Sequence, residues 1–201
     1  MSILFIGDVH GQIYSYKHKI GLSQYKDIDL SIQVGDFGFK WEHDWFLENV
    51  DFTKHKVLFG NHDYIPYKDK PHSLGDVTIF EQYGLMSIRG AQTIDKQNRI
   101  EGRDLFFNEE MSYREFMSVL DQYRAFKPDI VVTHTAPTVA SVRLLGGRST
   151  PAITEQALQM MFEYHQPKHW IFGHFHMHQE FTIGVYRTLF HSLGILHSLL
   201  L

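Results

Sequence analysis

Five times along the chain a short apolar run ends in a polar cluster. Ile3-Leu4-Phe5-Ile6 leads into Gly7-Asp8-Val9-His10, Leu30-Ser31-Ile32-Gln33-Val34 into Gly35-Asp36, and Lys56-Val57-Leu58-Phe59 into Gly60-Asn61-His62-Asp63. Asp129-Ile130-Val131-Val132 leads into Thr133-His134, and His169-Trp170-Ile171-Phe172 into Gly173-His174-Phe175-His176. Short β-branched and aromatic runs bounded by glycine predict strands buried on both faces. The segments between them carry helical periodicity. Residues 11–20 place Ile13, Tyr16 and Ile20 on one side, and residues 41–50 bring Trp45, Phe46 and Leu47 together. Ser112 and Glu115 have the spacing of a capping box, followed by the stripe Phe116, Val119, Leu120, Tyr123. Thr150-Pro151 reads as an N-cap and first helical residue ahead of Ala157, Leu158, Met161 and Phe162.

Strands alternating with helices predict an α/β chain of βαβ units with a largely parallel sheet. Such sheets bind ligands outside the carboxyl ends of their strands. All five polar clusters sit at those ends, so one rim should collect Asp8, His10, Asp36, Asn61, His62, His134, His174 and His176. Asp8 and His10, two apart on extended chain, should point to the same side. Taken singly, each cluster is ordinary turn chemistry: Gly-Asp and Gly-Asn are common turn pairs, and Asp8 could cap the next helix. Five in phase, all able to bind metal, point to a metal site.

Composition narrows the chemistry. The chain has 201 residues, enough for one domain (1–201) with a real core, and shows no repeat or linker that would divide it. With no cysteine, thiolate sites, disulfides and cysteine nucleophiles are excluded. The net charge of −4, without a Lys/Arg block, offers no electrostatic footing for non-specific nucleic-acid binding. The apolar runs are too short to span a membrane, and the N-terminus opens into a strand rather than a signal sequence, so a cytoplasmic location is expected. The imidazole, carboxylate and amide donors suit Mn, Fe, Zn, Ni or Co, and they outnumber what one ion takes from protein. Two ions about 3.5–4 Å apart, sharing a bridging carboxylate, are a recurring device for in-line phosphoryl displacement.

The ordered set GDVHG, GDFG, GNHD, VTH and GHFH, spread over residues 7 to 176, resembles the calcineurin-like metallophosphoesterase superfamily. The resemblance implies a four-layer α-β-β-α sandwich of two stacked mixed β-sheets flanked by helices. Its second sheet would draw on residues 77–80, 85–89, 179–184 and 185–191. It implies two divalent ions, Mn²⁺ foremost, one held by Asp8, His10 and His176, the other by Asn61, His134 and His174, with Asp36 bridging. His62 matches the family's non-ligand histidine, which protonates the leaving oxygen or stabilises the transition state. An imidazole beside two cations suits general acid catalysis. Protein Ser/Thr phosphatases of the superfamily carry GDxxDRG at the second motif, where the extra Asp orients this histidine. Here the segment is Gly35-Asp36-Phe37-Gly38-Phe39-Lys40, which argues against a dedicated protein phosphatase.

Residues 88–112 resemble a narrower bacterial and phage subgroup through Thr93-Ile94-Asp95-Lys96, Arg99, Gly102, Phe106-Phe107 and Glu109-Glu110. There Arg89 and Arg99 could present forked donors to phosphate oxygens, or Arg99 could pair with Asp95 and fix a loop. The other histidines, His43 among them, read as surface or strand-face residues, with His178 near the rim. Trp41/Trp45 and Phe106/Phe107 read as core. The expectation is a phosphoesterase in which a metal-bridging hydroxide attacks phosphorus. It leans to phosphodiesters and small nucleotides, with phosphomonoesters secondary. A phosphomonoesterase or protein phosphatase is the enzymatic alternative, and a metal-bound interaction scaffold the non-enzymatic one.

Overall fold

Among the described residues, ten strands and five α-helices follow one another along the chain. The strands are β1 (Ile3–Ile6), β2 (Leu30–Gln33), β3 (His55–Val57), β4 (Val77–Phe80), β5 (Leu85–Ile88), β6 (Ile130–Thr133), β7 (His169–Phe172), β8 (Gln179–Ile183), β9 (Thr188–Ser192) and β10 (Ser198–Leu200). The helices are α1 (Ile13–Ile20), α2 (Lys40–Asn49), α3 (Tyr113–Phe126), α4 (Thr138–Leu145) and α5 (Ile153–Tyr164). The computed structural model of the chain describes residues 2–94, 96–103, 105–146 and 151–201, and of Ser23 the backbone only.

The five apolar runs form strands, but not in one sheet. β1, β2 and β3 run parallel in a four-stranded sheet of order β10-β1-β2-β3, closed at one edge by antiparallel β10. β6 and β7 lie in a six-stranded sheet of order β4-β5-β6-β7-β9-β8. Within it β5, β6, β7 and β9 are parallel, and β4 and β8 antiparallel at the edges. A single parallel sheet is thus replaced by two mixed ones, as the family resemblance implies.

Side-chain alternation builds the layers. Ile3 and Phe5 of β1 join Ile32, Ile130, Val132 and Ile171 in an apolar layer between the sheets. Leu4 and Ile6 turn the other way, onto Ile13 and Tyr16 of α1 and Phe46 of α2. Val131 of β6 and Trp170 and Phe172 of β7 pack on Phe116, Leu120 and Tyr123 of α3 and Leu158 and Phe162 of α5. Apolar residues on both faces of a strand therefore mean one face on a helix layer and one on the partner sheet.

Helix starts follow local chemistry where a cap is available. Ser112 accepts from the Glu115 backbone N–H, and the Glu115 carboxylate accepts from the Ser112 N–H at 2.7 Å, completing the capping box of α3. α5 departs from expectation. It opens at Ile153 with Ala152 as N-cap, so Pro151 lies outside the helix, and Thr150 lies outside the described residues. Among the described residues no helix is long and apolar enough to cross a membrane.

Candidate metal centre and active site

Loops leaving both sheets meet at one place. The His174 N–H, after β7, donates to both Asp8 carboxylate oxygens at 3.2 and 3.1 Å, and the Gly173 N–H donates to the His134 carbonyl at 3.0 Å. The loop after β1 is tied to the loop after β2: the Val9 and His10 N–H groups donate to the Asp36 carbonyl at 3.0 and 2.8 Å. His10, Asp36, His174 and His176 adopt left-handed backbone, with φ of 47°, 57°, 66° and 55°. A non-glycine residue there costs about 1–2 kcal/mol, and such strain persists where surrounding bonds over-determine the turn. It also corrects the reason Asp8 and His10 converge. A left-handed turn, not the pleat of an extended strand, brings His10 Nε2 to 3.7 Å from Asp8 Oδ2.

Two donor groups result. Asp8, His10, Asp36 and His176 form one, and Asp36, His134 and His174 the other, each with donor atoms within 4.8 Å of one another. Asp36 belongs to both. His176 Nε2 lies 3.2 Å from Asp8 Oδ2 and 2.8 Å from His10 Nε2. His134 Nε2 lies 3.2 Å from Asp36 Oδ1 and 3.2 Å from Asn61 Oδ1. Two glycines keep the space open. A Cβ on Gly60 would come within 2.3 Å of Asp36 Oδ1 and 2.5 Å of His134 Nε2, and one on Gly173 within 2.1 Å of Asp8 Oδ1.

The electrostatics fit a cation. Burial opposes charge on Asp8, but hydrogen bonding to His10 and His176 outweighs it and holds the carboxyl below the ordinary range. Burial acts on Asp36 too, and the charge and hydrogen bond of His134 hold it well below that range. Burial also disfavours the His134 imidazolium, yet Asp36 and Asp8 push it up to about 10. His10 is raised against its burial by the same two carboxylates. Buried carboxylates that draw protons onto neighbouring imidazoles draw divalent cations by the same field, with release of those protons.

Outer contacts orient the donors. His134 Nδ1–H donates to the Val34 carbonyl at 2.8 Å, which leaves Nε2 for the centre. The Asn61 amide nitrogen donates to Thr93 Oγ1 at 3.1 Å, turning Oδ1 inward, and Thr93 Oγ1 donates to Glu109 at 2.5 Å. Lys96 Nζ lies 2.8 Å from the same carboxylate. Thr93, Lys96 and Glu109 thus brace Asn61, a role that nothing in the composition of this stretch signals.

Asp63, quoted in the GNHD motif without a role, is wholly buried. It accepts from the backbone N–H groups of Asp36, Gly38 and Gly60 at 2.8, 3.0 and 2.7 Å, and pairs with His43 Nε2 at 3.1 Å. His43 Nδ1 in turn meets His72 Nε2 at 2.9 Å. His43 is therefore no surface residue but part of a buried buckle joining the loops that carry Asp36 and Asn61. Sequence spacing does not reveal it, because its members come from α2, the loop after β3 and residue 72.

His62 donates its backbone N–H to Asp36 Oδ1 at 2.9 Å, and its ring lies 5.8 Å from that of His10. Its Nδ1 is buried without a hydrogen-bond partner among the described residues, so no carboxylate orients it there. The pocket beside it is lined by Asp36, Asn61, His62, Ile94, Arg99, Leu145, His174, Phe175 and His176. Arg99 lines this pocket; Asp95, the alternative partner considered for it, lies outside the described residues. Arg89 is elsewhere. It is buried, its Nε donates to Asp76 and its Nη1 to the Asn108 carbonyl at 2.9 Å, so its fork bridges two loops. His178 stacks on His197 with ring centroids 4.2 Å apart. Phe106 is core as expected, whereas Phe107 is 87% and Trp41 57% exposed.

The sequence matches the calcineurin-like phosphoesterase family over residues 1–178. Comparison with curated proteins found no match. Among solved structures, a protein of Thermus thermophilus is similar at 12% identity and a TM-score of 0.60, over 96% of this chain and 89% of its own. A conserved uncharacterized protein of Streptococcus pneumoniae, described as a predicted phosphoesterase, is 13% identical with a TM-score of 0.47, covering 96% and 72%. A putative 5'-nucleotidase of Staphylococcus aureus, solved with alpha-ketoglutarate, is 16% identical with a TM-score of 0.48, covering 100% and 51%. The first of these shares the fold, and the family match spans every motif that delivers a donor to the two groups around Asp36. The chain therefore belongs to the calcineurin-like phosphoesterases, metal-dependent hydrolases of phosphate esters.

Proposed function

We propose that the chain is a dinuclear phosphodiesterase acting on small nucleotide-type esters, with phosphomonoesters as secondary substrates. The carrying observation is that Asp36 is common to two donor groups. Asp8, His10 and His176 would hold one ion, Asn61, His134 and His174 the other, and Asp36 both. Mn²⁺ suits these donors, with Fe, Zn, Ni or Co as alternatives. Bound there, two divalent ions would activate water and neutralise phosphoryl charge.

The remaining steps belong to side chains. Arg99 presents a guanidinium to a non-bridging phosphoryl oxygen from the pocket wall. Ile94, Leu145 and Phe175 line the same pocket and restrict water around the bound ester. As the P–O bond breaks, His62 gives a proton to the leaving oxygen. Its Nδ1 is buried, which leaves Nε2 to do so. A monoester dianion calls for more cationic grip than a diester monoanion. With Arg89 bound to Asp76, Arg99 is the lysine or arginine that lines the pocket among the described residues, which supports the diester.

The test is kcat/KM of the Mn²⁺-loaded protein with bis-p-nitrophenyl phosphate and with p-nitrophenyl phosphate. The bis ester should be the better substrate. A tenfold advantage for the monoester would overturn the diester reading.

A further inference from the structure

A second pocket is lined by Phe39, Lys40, Trp41, Tyr64, Gly102 and Arg103. Its position follows from the chain path. The loop that places Asp36 in the first pocket continues to Phe39, Lys40 and Trp41 in the second. The loop that places His62 in the first reaches Tyr64 two residues later. The segment that supplies Ile94 and Arg99 to the first supplies Gly102 and Arg103 to the second. Three separate segments each reach from one pocket to the other within two or three residues, a span of at most about 7–11 Å of chain, so the two pockets lie close together.

The walls of the second pocket are aromatic and wet. Trp41 is 57% and Phe39 37% exposed, and Tyr64 is held by ring contacts with Tyr67 and Phe106 at 5.1 and 5.8 Å. Lys40, which lines it as well, forms an exposed ion pair with Asp44 at 2.6 Å, a bond that contributes little when solvated. Exposed aromatic faces close to the phosphoester site match the chemistry of a nucleobase, since rings stack on rings.

We infer that this pocket is a nucleobase subsite, in which the base of a nucleotide ester stacks on Trp41 and Phe39 while its phosphate occupies the metal centre. The inference rests on the diester reading for its substrate, though the stacking surface exists independently of turnover. It makes Trp41 and Phe39 specificity-determining residues.

Two p-nitrophenyl diesters with the same leaving group separate base recognition from chemistry: thymidine 5'-(p-nitrophenyl phosphate) and methyl p-nitrophenyl phosphate. The readout is the ratio of their kcat/KM values, which should favour the nucleoside ester and fall about tenfold in Trp41→Ala. Phe39→Ser, which removes the other ring while supplying a capping hydroxyl to α2, should lower the same ratio. Tryptophan fluorescence of the purified protein, titrated with thymidine 5'-monophosphate and with ribose 5-phosphate, should be quenched by the first only, and the quench should be lost in Trp41→Ala. An unchanged ratio in both variants, or equal quenching by the sugar phosphate, would overturn the subsite. If neither diester is hydrolysed, the functional reading fails, and the fluorescence titration alone then decides the subsite.

Discussion

Gly60→Ala places one methyl group between two proposed metal ligands without altering either. The Gly60 backbone is outside the left-handed region, so alanine meets no conformational penalty there. The obstacle is space, since its Cβ would sit 2.3 Å from Asp36 Oδ1 and 2.5 Å from His134 Nε2. To reach 3.0 Å, the carboxylate must withdraw by at least about 0.7 Å, where metal–ligand distances tolerate only about ±0.2 Å. Neither group is free to swing. His134 is fully buried and bonded through Nδ1 to the Val34 carbonyl, and Asp36 Oδ1 accepts from the His62 N–H. Overpacking of this kind costs about 1–3 kcal/mol of stability. Disturbed ligand orientation should weaken metal affinity by about 10–100-fold. Because Asp36 is shared, both ions should be affected. Calorimetric titration of the chelated protein with Mn²⁺, paired with urea unfolding, measures the two effects separately. A Gly60→Ala protein that binds two Mn²⁺ with wild-type affinity would refute both the cradle and the shared ligand.

Asp36→Asn should weaken both sites together, and elemental analysis showing one ion retained at full affinity would remove Asp36 from the bridge. His62→Ala should keep both metals but lose turnover by about 10²–10⁴, less for good leaving groups such as p-nitrophenolate; loss of bound metal would make His62 a ligand instead. His72 adds a pH dependence. Burial and the charge of His43 push its imidazole down to about 3, so the unfolded chain takes a proton near pH ~6.5 that the folded chain refuses. Stability is therefore lost as pH falls below ~6.5, by about 2 kcal/mol at pH 5. Urea unfolding of chelated protein at pH 7.5 and 5.0 reads that loss, and His72→Gln should flatten it; equal losses in both proteins would contradict the account.

The donor residues were legible because each follows an apolar run, and a polar cluster after a buried strand has few structural reasons to recur. The capping box of α3 was legible because both of its bonds lie within four residues. Division of the strands between two sheets was not, since a run such as Ile3-Leu4-Phe5-Ile6 has the same pattern whether its far face meets a helix or another sheet. The fate of the arginines was equally hidden. Arg89 and Arg99 look alike in sequence, but pairing of β4 with β5 brings Asp76 to Arg89, while the following loop carries Arg99 to the pocket. Asp63, His43 and His72 acquire their meaning only when α2 and residue 72 fold over the loop after β3. Local pattern determined which residues could bind metal and where strands would form. Which side chains came together as candidate metal donors, braces or exposed rings was decided by long-range packing, because a polar group's role depends on the partner that burial leaves within hydrogen-bonding reach.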